Sequence, residues 1–409
     1  MSTIIETQPL FDLMVGGLIV SAILLKTWFD RIGVPALVGL LVLGLLIRIA
    51  DDKWALISAQ STAIFDFLAR IGVVVLLFKV GLECNPYALV SKLRQAMPIW
   101  VGNVALSGLG GYLVAAYGLG LPQVPSLFIA IALTATTVAV SAAVWEEAGA
   151  LNSVNGALLL DVAELDDVSA IFLMALLIAV VPVLETAGLQ PIMAAMLDIG
   201  WAFIVKTVVF GAGCLGFAMF VERRVTRLIR KAGPPDAILV VVGIGIVIAS
   251  VAATLGLSLA IGSLFAGLVF SRDPRVVHMN TLFRPIHDLF TPFFFISIGM
   301  AIEPSSLGSA SLVGGALLGV AVLGKLIGAG LPAWPLVGWR GATLIGVSMV
   351  PRAEIAMIVV HQGHRLGPQA LPPDAYGAMA LIVAVTCVVA PIMIRILLQR
   401  WPQEAAPAP

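Results

Sequence analysis

Charge is what this chain has least of: only 11% of its 409 residues are Asp, Glu, Lys or Arg, against 60% hydrophobic. Soluble domains carry about a quarter charged residues, so lipid rather than water is the solvent of most of this chain. The 23 basic and 23 acidic side chains cancel, which removes the basic excess that nucleic-acid binding or a polybasic lipid anchor requires. Cysteine is nearly absent as well. Cys84, Cys214 and Cys387 stand far apart in or beside apolar stretches, without metal-ligand spacing, and read as small core residues. The opening MSTIIETQPLFDLMVGG lacks a basic leader and a small-residue cleavage pattern, so the first apolar run is expected to stay rather than be removed as a signal peptide.

Long apolar runs are what the chain does have. A helix needs about 20 mostly apolar residues to cross a bilayer, and backbone groups in lipid must be satisfied within the helix. Thirteen runs answer to this: 10–28, 34–50, 61–82, 97–117, 125–146, 154–181, 197–221, 235–254, 256–271, 286–302, 311–332, 342–363 and 376–398. Turn chemistry at Gly33-Val34-Pro35, Gly233-Pro234-Pro235 and Leu371-Pro372-Pro373 separates several of them. The predicted fold class is an all-α membrane protein with about 13 transmembrane helices. Basic residues test the count. Fifteen Lys and Arg fall in loops after odd-numbered runs or at the C-terminal end, and three, Arg48, Lys53 and Arg365, fall on the other side. Such a bias places the N-terminus outside and the C-terminus in the cytoplasm. The densest basic stretch, Arg223 to Lys231, reads as a topogenic loop.

Ionisable residues within spans are costly and mark function by default. The sixth run holds four: Asp161, Glu164, Asp166 and Asp167. At about 100° per residue, Asp161, Glu164 and Asp167 share a stripe while Asp166 points about 100° away, so the adjacent carboxylates face different neighbours. Asp166 lies roughly 18 Å along the helix, near the middle of a core about 30 Å thick. Burial and mutual repulsion favour protonation and a nearby cation opposes it, which suits such a pair to trade protons for hard cations that prefer oxygen ligands. Lys325, near the middle of the eleventh run, is the candidate partner for one of the aspartates. Its neighbours Gly324, Gly328 and Gly330 permit close helix approach. Two runs read as interrupted. The fifth holds Thr134, Thr136, Thr137 and Ser141, and in the twelfth Pro351 breaks the ladder beside Arg352 and Glu354. Broken segments seven runs apart cross in opposite directions, which points to a transport site between inverted repeats.

The pieces VPALVGLLVLGLL, LLFKVGLE, TATTVAVSA, LDD, PFFFISIGM, GKLIG and VPRAE occur in order over nearly the whole chain. Together they resemble the bacterial sodium/proton antiporters of the NapA and NhaA type, in the second branch of the monovalent cation/proton antiporter superfamily, which includes Kef-like exchangers. The resemblance implies an NhaA-like fold of inverted repeats with two broken crossing helices, in the bacterial inner membrane as a homodimer. It implies one transmembrane unit over 1–400: a core domain near 97–181 and 311–398 that moves elevator-fashion, an interface domain near 10–82 and 235–302, a linking helix near 197–221, and a short cytoplasmic tail over 401–409. It makes Asp167 the principal sodium and proton site, Asp166 the partner of Lys325, and Thr136 an oxygen ligand. Arg352, Glu354, Thr134 and Thr137 would support the core, and Asp161 and Glu164 would line a cytoplasmic funnel. No resident cofactor is implied, since Na⁺ and H⁺ are the cargo of electrogenic exchange.

The chain departs from the family pattern in the acids Asp161 and Glu164 before the pair, and in PRAE where PRGE is more usual, which implies an altered helix break. A nucleotide-binding module of the Kef kind is not expected after residue 400. Potassium/proton exchange and a sensor on the same scaffold are the alternatives. An intramembrane aspartyl protease is disfavoured, because adjacent residues on one helix diverge rather than share a proton. His278, His287, His361 and His364 fall at expected helix ends or loops and read as solvated interface residues. Glu146 and Glu147 read as ordinary interface charges or cation attractants.

Overall fold

The computed structural model describes residues 2–32, 34–55, 57–84, 86–186, 192–220, 234–271 and 280–403. Every regular element among them is helical. In chain order these are α1 (Ser2–Ile32), α2 (Ala36–Trp54), α3 (Ala59–Glu83), α4 (Pro86–Leu113), α5 (Gln123–Thr134), α6 (Val138–Glu147) and α7 (Val154–Thr186), followed by α8 (Ile192–Phe220), α9 (Pro234–Thr254), α10 (Leu259–Phe270), α11 (Asn280–Met300), α12 (Leu307–Ser348), α13 (Glu354–Arg365) and α14 (Pro373–Arg400). Among the described residues each of the thirteen apolar runs is mainly helical. The basic stretch from Arg223 to Lys231, with Arg272, Arg275 and His278, lies outside the described residues.

Six described segments are long and apolar enough by themselves to cross a membrane: Arg94–Gly118, Gln123–Glu147, Val154–Leu184, Asp198–Phe220, Pro304–Ser348 and Pro373–Arg400. The remaining crossings are shorter or carry charge. α2, for example, ends on Arg48, Asp51, Asp52 and Lys53. One boundary differs from expectation. The eleventh and twelfth runs are not separated by a loop, because α12 continues through both and bends at Gly338, whose φ of 68° and ψ of 175° are not helical. Glycine reaches that conformation without steric cost, so a single residue turns the chain.

The chain forms two compact units. The first comprises Met1–Glu83, Gly216–Ser250 and Ser263–Pro304. In it α11 packs along α2 and α3. Gly44 meets the Ile296 carbonyl and Gly299, and Gly81 meets the Leu264 carbonyl and Gly267, with no space for a Cβ between the backbones. Lipid is as apolar as these side chains, so close backbone approach rather than burial supplies the attraction between helices. Phenylalanines fill the remainder, with Phe65 edge-on to Phe293 at 5.6 Å and Phe78 tilted against Phe283 at 5.6 Å.

The second unit comprises Cys84–Leu215, Val251–Gly262 and Ser305–Pro409. Here α12 is the central element, packed on α4 and α14. Ile99, Trp145, Leu159, Ala163, Leu344 and Ile345 build its apolar core. Both interrupted helices belong to this unit. The first break spans Ala135 to Thr137, extended between α5 and α6 (Ala135 φ −61°, ψ 145°; Thr137 φ −101°, ψ 98°). β-branched Thr136, Thr137 and Val138 favour leaving the helix there. The second break spans 349–353, between α12 and α13. Pro351 removes a donor and drives Val350 out of helical geometry.

Candidate ion-binding site

At each break the backbone loses its internal partners, and the two breaks compensate one another. The Thr137 amide donates to the Pro351 carbonyl at 2.9 Å. Ser141 Oγ donates to the Ser348 carbonyl at 2.6 Å, and Trp145 Nε1 donates to Ser348 Oγ at 2.9 Å. Cations cover the exposed carbonyl end of α5. Arg352, fully buried, donates through Nη2 to the carbonyls of Leu133 (2.9 Å) and Ala321 (2.8 Å), and through Nη1 to that of Val350 (2.9 Å). Lys325 Nζ donates to the Thr134 carbonyl. Positive charge at a helix C-terminus is favourable by about 0.3–1 kcal/mol at a surface and by up to about 2 kcal/mol when partly buried. The acidic counterpart sits at the start of α13, where Glu354 Oε2 accepts from Thr137 Oγ1 at 3.1 Å.

Ala353 adopts φ −147°, outside the left-handed region that demands glycine, so alanine in PRAE accommodates this break without a positive φ. The strand of backbone is pinned to α14: the Arg352 amide donates to Thr386 Oγ1 at 3.3 Å, and Cys387 Sγ donates to the Arg352 carbonyl at 3.0 Å. All three cysteines are buried and unbridged.

Beside the first break the structure assembles Asp166, Thr136 and Lys325. Asp166 and Lys325 are both 0% exposed, with Nζ 3.0 Å from Oδ2. Thr136 Oγ1 donates to the same Oδ2 at 2.7 Å and accepts from Lys325 Nζ at 2.6 Å. Two unit charges buried together are kept only when hydrogen bonds offset desolvation. Here the thread of donors through Thr136 does so. Asp167 points elsewhere, as the helical geometry of α7 requires. It is partly buried, and its Oδ1 is buried with no hydrogen-bond partner among the described residues. The charges acting on it come from Asp166, Glu354, Lys325 and Glu164. Asp161 and Glu164, also partly buried, lie about two turns and one turn before it on α7.

Sequence reasoning missed α4. Asn103 is fully buried and donates through Nδ2 to Asp166 Oδ2 at 2.5 Å. An amide and a serine four residues apart, Asn103 and Ser107 in WVGNVALSGLGG, form a polar stripe on an apolar helix, and such groups require partners. That was the available signal. The expected close approach to Lys325 is made by α4, at Gly324 against Ser107 and at Gly328 against Gly102 and Asn103, while Gly330 faces Ala342.

The histidine reading needs correction. His361 Nδ1 lies 3.2 Å from the Tyr376 hydroxyl and the His364 ring packs 4.5 Å from the Tyr376 ring. Because α13 folds back on α14, these side chains line a helix contact instead of a solvated end. Glu147 is an exposed ion-pair partner of Arg395 at 2.7 Å.

A multi-pass helical membrane protein with two broken helices meeting at a buried carboxylate and lysine has the architecture of an ion-coupled transporter. A family model for the transmembrane region of the sodium/hydrogen exchangers matches residues 19–400, and the chain belongs to that family. It is 28% identical to the high-affinity Na⁺/H⁺ antiporter NhaS3 of Synechocystis, over 98% of this chain and 87% of that protein. It is 27% identical to the Na⁺/H⁺-K⁺ antiporter GerN of Bacillus cereus, over 89% of this chain and 90% of that protein. The fold is shared with the sodium proton antiporter MjNhaP1 of Methanocaldococcus jannaschii at a TM-score of 0.72 and 14% identity, covering 96% of this chain and 99% of that one. The protein is therefore a monovalent cation/proton antiporter.

Proposed function

We propose that this antiporter exchanges Na⁺ or Li⁺ for H⁺ at Asp167, electrogenically, by elevator-type alternating access. The observation that carries this reading is the unequal state of the two aspartates. Asp166 is engaged through Oδ2 by Lys325, Thr136 and Asn103, while Asp167 lies outside that pairing; each keeps a buried Oδ1 without a hydrogen-bond partner among the described residues. A carboxylate oxygen in that condition suits a proton or a hard cation but not both together, and competition for one site enforces exchange. Asp166 is either bound to Lys325 or released from it during the cycle. Thr136, as a hydroxyl bonded to both, adds an oxygen ligand when that bond opens, and Asp161 and Glu164 draw cations toward Asp167. Arg352, Glu354, Thr134 and Thr137 hold the broken helices in place. Membership of an antiporter family supports reading the chain as a carrier rather than an enzyme, with Na⁺ and H⁺ as its substrates.

The core that moves is proposed to be 97–181 with 311–398, the homodimer interface to lie within 10–82 and 235–302, and 197–221 to link them. Concentration of the whole site in one compact unit supports that division. The basic-residue asymmetry supports an outside N-terminus and a cytoplasmic C-terminus in a bacterial inner membrane. Potassium is the second reading, favoured by the relative GerN, whose name carries both Na⁺/H⁺ and K⁺.

In proteoliposomes an imposed sodium gradient is expected to drive proton movement that Asp167→Asn abolishes. Unchanged exchange in that variant overturns the assignment. Wild-type exchange measured with Na⁺, Li⁺, K⁺ and Rb⁺ across pH separates the sodium reading from the potassium one.

A further inference from the structure

The bend of α12 gathers aromatic and basic side chains at one corner of the second unit, where α14 ends. Gly338 turns the chain between two exposed tryptophans, Trp334 and Trp339. The Trp339 ring meets that of Trp401, which closes α14, edge-on at 4.9 Å. The Arg340 guanidinium lies over the Trp339 ring, with Cζ 5.5 Å from its centroid, and Arg400, the last residue of α14, adjoins the other tryptophan. The corner is tied down from a third helix. Asn155 Nδ2, in the first turn of α7, donates to Gln403 Oε1 at 2.7 Å, and Gln403 Nε2 donates to the Trp401 carbonyl at 2.9 Å. A Cβ at Gly341 would lie 2.9 Å from Asn155 Nδ2, so the part of α12 beyond the bend rests on α7 as well.

Tryptophan favours the headgroup level of a bilayer, where its ring meets hydrocarbon and its N–H meets water. An arginine laid over such a ring keeps its planar fork of donors free at the edge, and phosphate is the group that this fork matches two bonds at a time. The charge at the corner is of one sign. Arg395, earlier on α14, is neutralised by Glu147 at 2.7 Å, whereas Arg340 and Arg400 are exposed and form no ion pair among the described residues. Exposed apolar surface continues beside them, at Leu331 three residues before Trp334 and at Ile396 one turn before Arg400. Two unneutralised guanidinium groups, tryptophans suited to headgroup depth and apolar surface next to both complement a lipid with an anionic head.

We propose that the corner formed by Trp339, Arg340, Arg400 and Trp401 binds an anionic phospholipid, its phosphate taken by the two guanidinium groups and its glycerol and acyl chains by the tryptophans and the apolar surface beside them. This goes beyond the exchange reading and holds whichever cation is carried. Because α12 carries Lys325 and α7 carries Asp166 and Asp167, the bound lipid anchors at one leaflet the helices that build the ion site.

The test adds dioctanoyl phosphatidylglycerol, neutral dioctanoyl phosphatidylcholine or inorganic phosphate to the purified full chain in a non-ionic detergent and follows the thermal-unfolding midpoint, which rises when a ligand binds the folded state. Wild type is expected to show a saturable rise with phosphatidylglycerol and little with the other two. Arg340→Gln and Arg400→Gln are each expected to raise the half-saturating concentration roughly fivefold, and the double variant about thirtyfold, the factors that one and two basic residues contribute beside an anionic lipid surface. Both positions are exposed, so the variants are expected to fold. Lys53→Gln, an exposed charge of the first unit, is expected to leave the concentration unchanged. Phosphatidylglycerol binding by the double variant at the wild-type concentration, or no saturable rise in wild type, overturns the proposal. An equal rise with phosphatidylcholine makes the corner an apolar belt only, and an equal rise with inorganic phosphate makes it an anion site without a lipid; either result overturns it too.

Discussion

The two compact units solve the same problem, packing helices in lipid, with opposite treatments of charge. In the first unit the ion pairs are partly exposed: Lys26 and Asp288, 2.5 Å apart, keep 32% and 31% of their side chains exposed, and Arg48–Asp52 and Lys79–Glu83 are likewise half-exposed i,i+4 pairs. Its helices run unbroken past one another at Gly44 and Gly81. In the second unit Asp166 and Lys325 pair at 0% exposure, beside backbone that has left the helix. An exposed pair contributes about 0–1 kcal/mol and decides little. A buried one costs desolvation that only surrounding hydrogen bonds offset, so its retention points to work other than stability. Breaking the helices is what makes this arrangement available, because the freed carbonyls of Leu133, Thr134 and Val350 give Lys325 and Arg352 something to bind.

The strongest way to break this contrast is at Arg352. Replacing it with Leu strands the buried carbonyls of Leu133 and Val350, each at about 1–3 kcal/mol, and takes a second donor from the helical carbonyl of Ala321. Thermal unfolding in detergent is expected to show a large loss, with Arg352→Lys intermediate. Wild-type stability in the leucine variant would mean that the breaks are braced by other groups. A paired substitution sharpens the comparison. Gly102→Ala drives a Cβ toward the Gly328 carbonyl oxygen and Pro332 Cγ (2.6 and 2.7 Å), at a cost of about 1–3 kcal/mol, and should also alter the cation dependence of exchange because Asn103 is its neighbour. Gly44→Ala meets the Ile296 carbonyl and is expected to lower stability similarly while leaving apparent cation affinity unchanged. Equal shifts in affinity from both variants would erase the distinction between the units. The smallest effect belongs to Lys26→Ala, which removes the pair with Asp288 and is expected to cost under about 1 kcal/mol in an unfolding titration; a loss well above that would mean the pair is not exposed to screening.

Helix existence was legible because hydropathy in lipid is nearly a one-dimensional property. Each apolar run is mainly helical among the described residues, and Pro351 and the threonine run mark both breaks. The kink at Gly338 was not legible as a kink, since Pro332, Pro335 and Gly338 read equally well as a loop. His361 and His364 were misread for a related reason. Their distance along the chain from Tyr376 gives no hint that α13 folds back on α14.

The candidate site divides in the same way. The divergence of Asp166 from Asp167 follows from 100° per residue on a single helix, and Lys325 stood out as a lone cation in an apolar run. Asn103 did not stand out, because an uncharged amide raises no alarm in a hydropathy profile and its partner lies 63 positions away.

The sequence by itself determined that this chain lives in lipid, where its helices run and break, and which ionisable groups lie within the spans, because each of these depends on residues adjacent along the chain. Which oxygen of which aspartate Lys325 meets, that Thr136 and Asn103 meet the same one, and that Arg352 closes the carbonyl ends of the first break were decided only by tertiary structure. Those contacts join helices whose relative rotation is fixed by packing, at glycines such as Gly102 and Gly328 where one backbone rests on another.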